Sequence, residues 1–191
     1  MLLEALQDFE WYNEPKNVIF RDKNMLVAAE KGTDFWQSRP HKFSQDNGHY
    51  FFTRRKGDFS FVVKWTFSGC GAYNQCGLML RIDENNWIKA SIMYDNPERP
   101  MLGSSVTQNG SSDWAAQDIP QGIQDIFFKL KRLGGDYLIY YSLDGENFKQ
   151  IRMTALLNDM EEVKIGAYIC APREDNFEAS ISLLEVASNA Q

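Results

Sequence analysis

Short runs of β-branched and aromatic residues, alternating with period two and cut by Gly, Asn, Asp and Pro clusters at intervals of roughly ten residues, dominate this chain. Strands so short bury their apolar sides only when sheets stack, so this rhythm points to a sandwich or barrel. Strands are predicted at 17–20, 25–29, 49–53, 58–67, 75–82, 87–94, 101–108, 126–133, 136–142, 148–154, 163–170 and 177–186. Asn47-Gly48, Asn109-Gly110, Gly134-Gly135 and Asp144-Gly145 supply residues that tolerate positive φ where a hairpin must reverse. Only residues 2–12, with Leu2, Leu3, Leu6 and Phe9, have the spacing of a short amphipathic helix, and 155–162 leaves room for one helical turn. With 191 residues and no linker, low-complexity stretch or repeat, one domain over 1–191 is expected. Its expected fold is an all-β, two-sheet antiparallel jelly-roll sandwich, because a lone open sheet would leave one apolar face wet.

Charge narrows the range of partners. The net charge is −6, with acids and bases spread along the chain, so no basic stripe exists for a phosphate backbone and nucleic acid is not an expected partner. The densest basic run, Arg54-Arg55-Lys56, precedes Gly57-Asp58 and reads as an exposed turn. The segment from Met1 to Asp8 carries acids within its first apolar stretch and lacks the basic start of a signal peptide. No apolar run is long enough to span a bilayer, so the expectation is a cytoplasmic protein without a membrane partner. Three cysteines, Cys70, Cys76 and Cys170, leave an odd thiol and form no CxxC pair, which fits reduced thiols. Asn109-Gly110-Ser111 matches a glycosylation sequon and is read as a turn.

Alternation assigns each strand two faces. Leu78, Leu80 and Ile82, then Ile88, Ala90 and Ile92, then Val163, Ile165, Ala167 and Ile169 form apolar sides directed to the core. The opposite sides carry Gln75, Gly77, Met79 and Arg81, then Trp87, Lys89 and Ser91, then Lys164, Gly166, Tyr168 and Cys170. Flat rings beside Arg, Lys and Gln donors suit a small polar ligand, a saccharide among them. The alternative is that Trp87 and Tyr168 pack under a loop while Arg81 solvates its face. Trp36, in Thr33-Asp34-Phe35-Trp36-Gln37, and Trp114, in Ser112-Asp113-Trp114, are candidates for the rim of that face.

Thr33-Asp34-Phe35-Trp36, Tyr73 to Arg81, Trp87-Ile88-Lys89, Ser112-Asp113-Trp114, Tyr141 to Gly145 and Gly166 to Pro172 occur in an order that resembles the concanavalin A-like family that includes the "regulation of enolase" protein. The similarity covers roughly residues 8–186. It implies a lectin/glucanase-type jelly roll with a concave and a convex sheet, and no established reaction. By that analogy the concave sheet is the ligand face.

Catalytic chemistry is not expected. Glycoside hydrolysis needs two carboxylates flanking one bond, yet strands 75–82, 87–94 and 163–170 contain no Asp or Glu. Asp83-Glu84, Glu161-Glu162 and Glu174-Asp175 are adjacent and point apart, and Asp144 with Glu146 sits on an exposed turn. His41 and His49 are the two histidines, both read into one loop-rich segment, and no Gly-x-Ser-x-Gly elbow occurs. Cys170 reads as a small buried thiol, since no histidine is placed to activate it. Asp83, Asn85 and Asn86 lack the order of a calcium loop, so neither metal nor cofactor is expected.

The leading expectation is thus a non-enzymatic binding module using Trp36, Gln75, Arg81, Trp87, Lys89 and Tyr168. The alternative is an interaction or regulatory protein that docks a metabolic enzyme or another protein partner. A third reading is an enzyme using His41 or a single carboxylate.

Overall fold

The computed structural model describes residues 6–38, 41–68, 71–96, 99–173 and 176–188. Leu2, Leu3, Cys70, Glu174 and Asp175 lie outside the described residues. In chain order the strands are β1 (Glu10–Tyr12), β2 (Asn17–Arg21), β3 (Asn24–Ala29), β4 (Phe35–Ser38), β5 (Phe43–Asp46) and β6 (His49–Lys56). There follow β7 (Phe59–Phe67), β8 (Gln75–Asp83), β9 (Asn86–Asn96), β10 (Arg99–Gln108), β11 (Ser111–Ser112) and β12 (Ala115–Asp118). The last are β13 (Asp125–Leu133), β14 (Asp136–Ser142), β15 (Lys149–Ala155), β16 (Glu162–Cys170) and β17 (Phe177–Ser188). No helix occurs among the described residues, and so none long and apolar enough to cross a membrane.

Two antiparallel sheets form the predicted jelly-roll sandwich. One runs β1-β6-β16-β8-β9-β10-β11-β4-β5, with β12 also on β10, and the other runs β15-β14-β13-β7-β17-β3-β2. Register follows the alternation: Leu80 lies between Ile88 and Ile165, and Leu78 between Ala90 and Ala167. All six belong to the main core, with Phe61, Val63, Trp65, Ile126, Phe128 and Leu130 of the facing sheet. The Trp65 indole crosses the layer boundary and donates to the Gly77 carbonyl at 2.9 Å.

Three sequence expectations are corrected. Residues 10–12 form β1 instead of the end of a helix, because Trp11 pairs with Phe51 on β6 and its ring lies 4.8 Å from that of Phe51. Asn47 and Gly48 are not in the left-handed region. Gly48 answers a different need: a Cβ there would stand 2.3 Å from the buried Phe35 ring. His49 lies within β6, fully buried, instead of in a loop.

The ten-stranded sheet curls until its ends meet. Tyr12 on β1, at one end of the strand order, donates its hydroxyl to the Asp46 carboxylate on β5, at the other end, at 2.9 Å. Inside the curl Phe35, Tyr50, Phe52, Met79, Trp87, Tyr168 and Cys170 form a second apolar cluster, separate from the inter-sheet core. The β4–β5 hairpin therefore divides the concave side into a filled part beneath it and an open part beside it.

Candidate functional site

Beside the hairpin lies an open cavity of about 430 Å³. Gln75 on β8 and Lys89 and Met93 on β9 reach it from the concave sheet. Asp34 and Trp36 enter from β4 and the residue before it, and Phe43 and Gln45 from β5. Tyr73, Trp114, Pro172 and Arg173 complete the wall from connecting segments.

The floor is a closed polar network. Lys89, only 2% exposed, donates from Nζ to the Phe35 carbonyl at 2.7 Å and to Gln75 Oε1 at 3.1 Å. Its charge is met by Asp34 Oδ1 at 3.6 Å, and the Trp87 and Tyr168 rings each lie 5.5 Å from the ammonium. Gln75 Oε1 also accepts the Tyr168 hydroxyl at 2.9 Å, while its Nε2 donates to the Tyr73 carbonyl at 3.3 Å. These contacts fix the amide orientation and hold the cation that an apolar floor would not tolerate alone.

The walls present rings. Trp114 lies over Gly103, where a Cβ would stand 2.0 Å from Cη2, so the missing side chain makes room for the indole. Its position is secured by Asp113, which accepts the Val106 N–H at 2.7 Å and pairs with Arg152 at 2.5 Å. Tyr73 has φ +66°, an uncommon backbone conformation for a bulky residue, and its N–H donates to the Tyr94 carbonyl at 2.6 Å. Arg173 stacks on the Tyr73 ring at 4.8 Å. Asp34 Oδ1 accepts the Phe35 N–H at 2.8 Å, while its Oδ2 has no partner among the described residues.

Arg81, Trp87, Lys89 and Tyr168 share one sheet face, as alternation requires, but only part of the predicted set reaches the cavity. Trp36, Gln75 and Lys89 line it. Trp87 and Tyr168 are fully buried in the second cluster, and Arg81 is 4% exposed beneath the hairpin. The Arg81 guanidinium forms a fork to Asp46 at 2.6 and 2.7 Å and lies over the Tyr12 ring at 4.7 Å. Burial opposes its charge, but the bonded Asp46 carboxylate outweighs that and raises its pKa. These three side chains build the floor's support instead of the cavity surface. Alternation had no means to show this, since the cover comes from two four-residue strands with no strong pattern of their own.

Asp34, Phe43, Gln45, Tyr73, Met93 and Arg173 were missed as site residues. The Thr33-Asp34-Phe35-Trp36 motif was the available signal for Asp34. His41 is exposed and does not line the cavity. His49 accepts the Glu30 N–H on Nε2 at 3.2 Å and donates from Nδ1 to the Asn13 carbonyl at 2.6 Å, a structural pairing. Burial, followed by the Asp34 carboxylate, pushes the Cys170 thiol well up, which disfavours a nucleophilic thiolate. Asp83 is occupied by the Asn85 N–H at 2.8 Å and the Asn86 amide at 2.9 Å, which shape its turn. The Asn147 side chain, then the backbone N–H groups of Asn147 and Glu146, hold Asp144 well below the usual carboxylate range in its exposed turn.

A family model described as "Protein of unknown function (DUF1349)" matches residues 11–189. The chain belongs to the DUF1349 family. A relative in Saccharomyces cerevisiae, "Regulation of enolase protein 1", is 27% identical over 172 residues, covering 90% of this chain and 85% of the relative. A crystal structure of a functionally unknown protein from the same yeast superposes with a TM-score of 0.89 at 25% identity, covering 98% of this chain and all of the other. The carbohydrate-binding module CBM66 from Bacillus subtilis superposes with a TM-score of 0.63 at 12% identity, covering 96% of this DUF1349 chain and 97% of the module. That last likeness concerns the fold.

Proposed function

We propose that this protein is a non-enzymatic saccharide-binding module whose site is the cavity beside the β4–β5 hairpin. One observation carries the reading: the indoles of Trp36 and Trp114 and the phenol ring of Tyr73 surround a polar floor in a cavity of about 430 Å³. Aromatic rings offer flat apolar area to the C–H face of a sugar, while directed polar atoms meet its hydroxyls. Asp34 Oδ2 and Gln45 Oε1 are acceptors at the wall, since Gln45 turns its Nε2 to the Gly32 carbonyl at 2.7 Å. The backbone strain at Tyr73 sits on this wall, where binding sites commonly hold it. The fold shared with a carbohydrate-binding module supports the same reading. A cytoplasmic site of action is part of the proposal.

The name of the yeast relative favours a second reading, docking to a protein such as enolase. Leu157, 80% exposed, and Met160, 54% exposed, would then be contact residues.

The test is a thermal-shift screen with mono- and disaccharides, alongside purified enolase. A ligand at one hundred times its Kd stabilises the fold by about 2.7 kcal/mol. The proposal expects a saccharide-dependent rise that Trp36→Ala and Trp114→Ala abolish. A rise with enolase alone, lost in Leu157→Ser, would replace it with the second reading.

A further inference from the structure

We infer that the saccharide carries a carboxylate, as a uronic acid does, and that Arg173 receives it. The inference rests on the saccharide reading above and specifies its ligand. The cavity wall contains three charged side chains, Asp34, Lys89 and Arg173. Asp34 and Lys89 lie 3.6 Å apart and offset one another, and Lys89 is already committed to the Phe35 carbonyl and Gln75. Arg173 has no carboxylate partner among the described residues and is exposed at the cavity mouth. Among the described residues the cavity wall therefore carries one net positive charge, in a chain of net charge −6. A solvated arginine needs no such placement, but this one is stacked on Tyr73 at 4.8 Å, and Tyr73 is itself held by its bond to Tyr94. Stacking restricts the guanidinium, and a guanidinium held flat on a ring can bind a carboxylate through two parallel hydrogen bonds along its N–H edge.

A single carboxylate balances the single net charge. A phosphate dianion would want a second cationic donor, and Lys89 is 2% exposed and already engaged by the Phe35 carbonyl, Gln75 and Asp34. The neutral part of the ring then rests against Trp36 and Trp114, with hydroxyls toward Asp34 Oδ2 and Gln45. Because Arg173 is exposed, its contribution is screened by salt, and the preference for the acidic sugar weakens as ionic strength rises.

The test is calorimetric titration of the full chain with methyl glucoside, methyl glucuronide, glucose 6-phosphate and their galacto counterparts, at low and high salt. At low salt one uronide is expected to bind about tenfold more tightly than its neutral glycoside, the effect of one charged hydrogen-bonded contact at a wet rim. Arg173→Gln is expected to erase that preference, and Arg173→Lys to restore part of it. Equal affinity for acid and neutral sugars, or a preference that survives Arg173→Gln, overturns the inference and leaves the binding module standing. Tighter binding of the 6-phosphates than of the uronides overturns the assignment to a carboxylate. Failure of all six compounds to bind overturns the module and the inference together.

Discussion

Tyr12 and Asp46 stand at opposite ends of the ten-stranded sheet, yet the hydroxyl of one lies 2.9 Å from the carboxylate of the other. The same carboxylate takes both arms of the Arg81 fork, so β1, β5 and β8 are tied at one point. This tie holds the hairpin down over Trp87 and Tyr168 and sets the side wall of the cavity.

Removing Asp46 should therefore be costly. Asp46→Ala leaves a guanidinium that is 4% exposed without its counter-charge, which predicts a loss of about 3 kcal/mol in unfolding free energy. Asp46 itself keeps some solvent contact, so the value belongs at the lower end of the range for buried pairs. Urea denaturation checks it, and the double variant Asp46→Ala/Arg81→Met should recover part of the loss. A single-variant cost under about 1 kcal/mol would show that the tie does not hold the hairpin.

Alkaline pH should weaken the fold from within the second cluster. Burial pushes Cys170, Tyr50 and Tyr168 well up, so all three stay neutral in the folded protein after they ionise in the unfolded chain. Their contribution is fully present below the unfolded values and is lost as pH rises, from about pH 8.5 for the thiol and about pH 10 for the phenols. Each group lowers stability by about 1.4 kcal/mol per pH unit within its window. Urea midpoints measured from pH 7 to 11 should fall accordingly, and Cys170→Ala should flatten the first part of the fall. Midpoints constant to pH 10.5 would contradict the burial of these groups.

Gly103 gives a way to move one wall without touching the floor. Gly103→Ala places a methyl group where Cη2 of Trp114 now lies, so the indole must swing off the sheet. Saccharide affinity should drop by about tenfold, with a cost in stability within about 1 kcal/mol because Trp114 is only partly buried. Titration and urea unfolding of the same variant separate the two effects. Unchanged affinity would remove Trp114 from the site.

The main core was legible because its residues repeat. Leu78, Leu80, Ile88, Ala90, Val163 and Ile165 alternate over long strands, and a one-residue slip would drive Arg81 and Lys89 into the inter-sheet core. The curl was not legible, because β1, β4, β5, β11 and β12 are two to four residues long and too short for a period to show. The same gap explains the mixed outcome at the site. Gln75 and Lys89 reach the cavity, whereas Arg81, Trp87 and Tyr168, chosen by the same rule, lie beneath Phe35 and Asp46. Tyr73 and Arg173 come from connecting segments, where side-chain direction follows from tertiary contacts and not from sequence spacing.

The five tryptophans, Trp11, Trp36, Trp65, Trp87 and Trp114, make the central claim directly measurable, because each contributes one indole N–H signal to a ¹⁵N NMR spectrum. Only Trp36 and Trp114 line the cavity, whereas Trp87 is buried under the hairpin and Trp65 donates its N–H to Gly77 between the sheets. Titration with a saccharide selected by the thermal-shift screen should move the Trp36 and Trp114 signals in step, leaving those of Trp11, Trp65 and Trp87 in place. Movement of the Trp87 signal with Trp36 and Trp114 unmoved would put the ligand elsewhere and contradict the account.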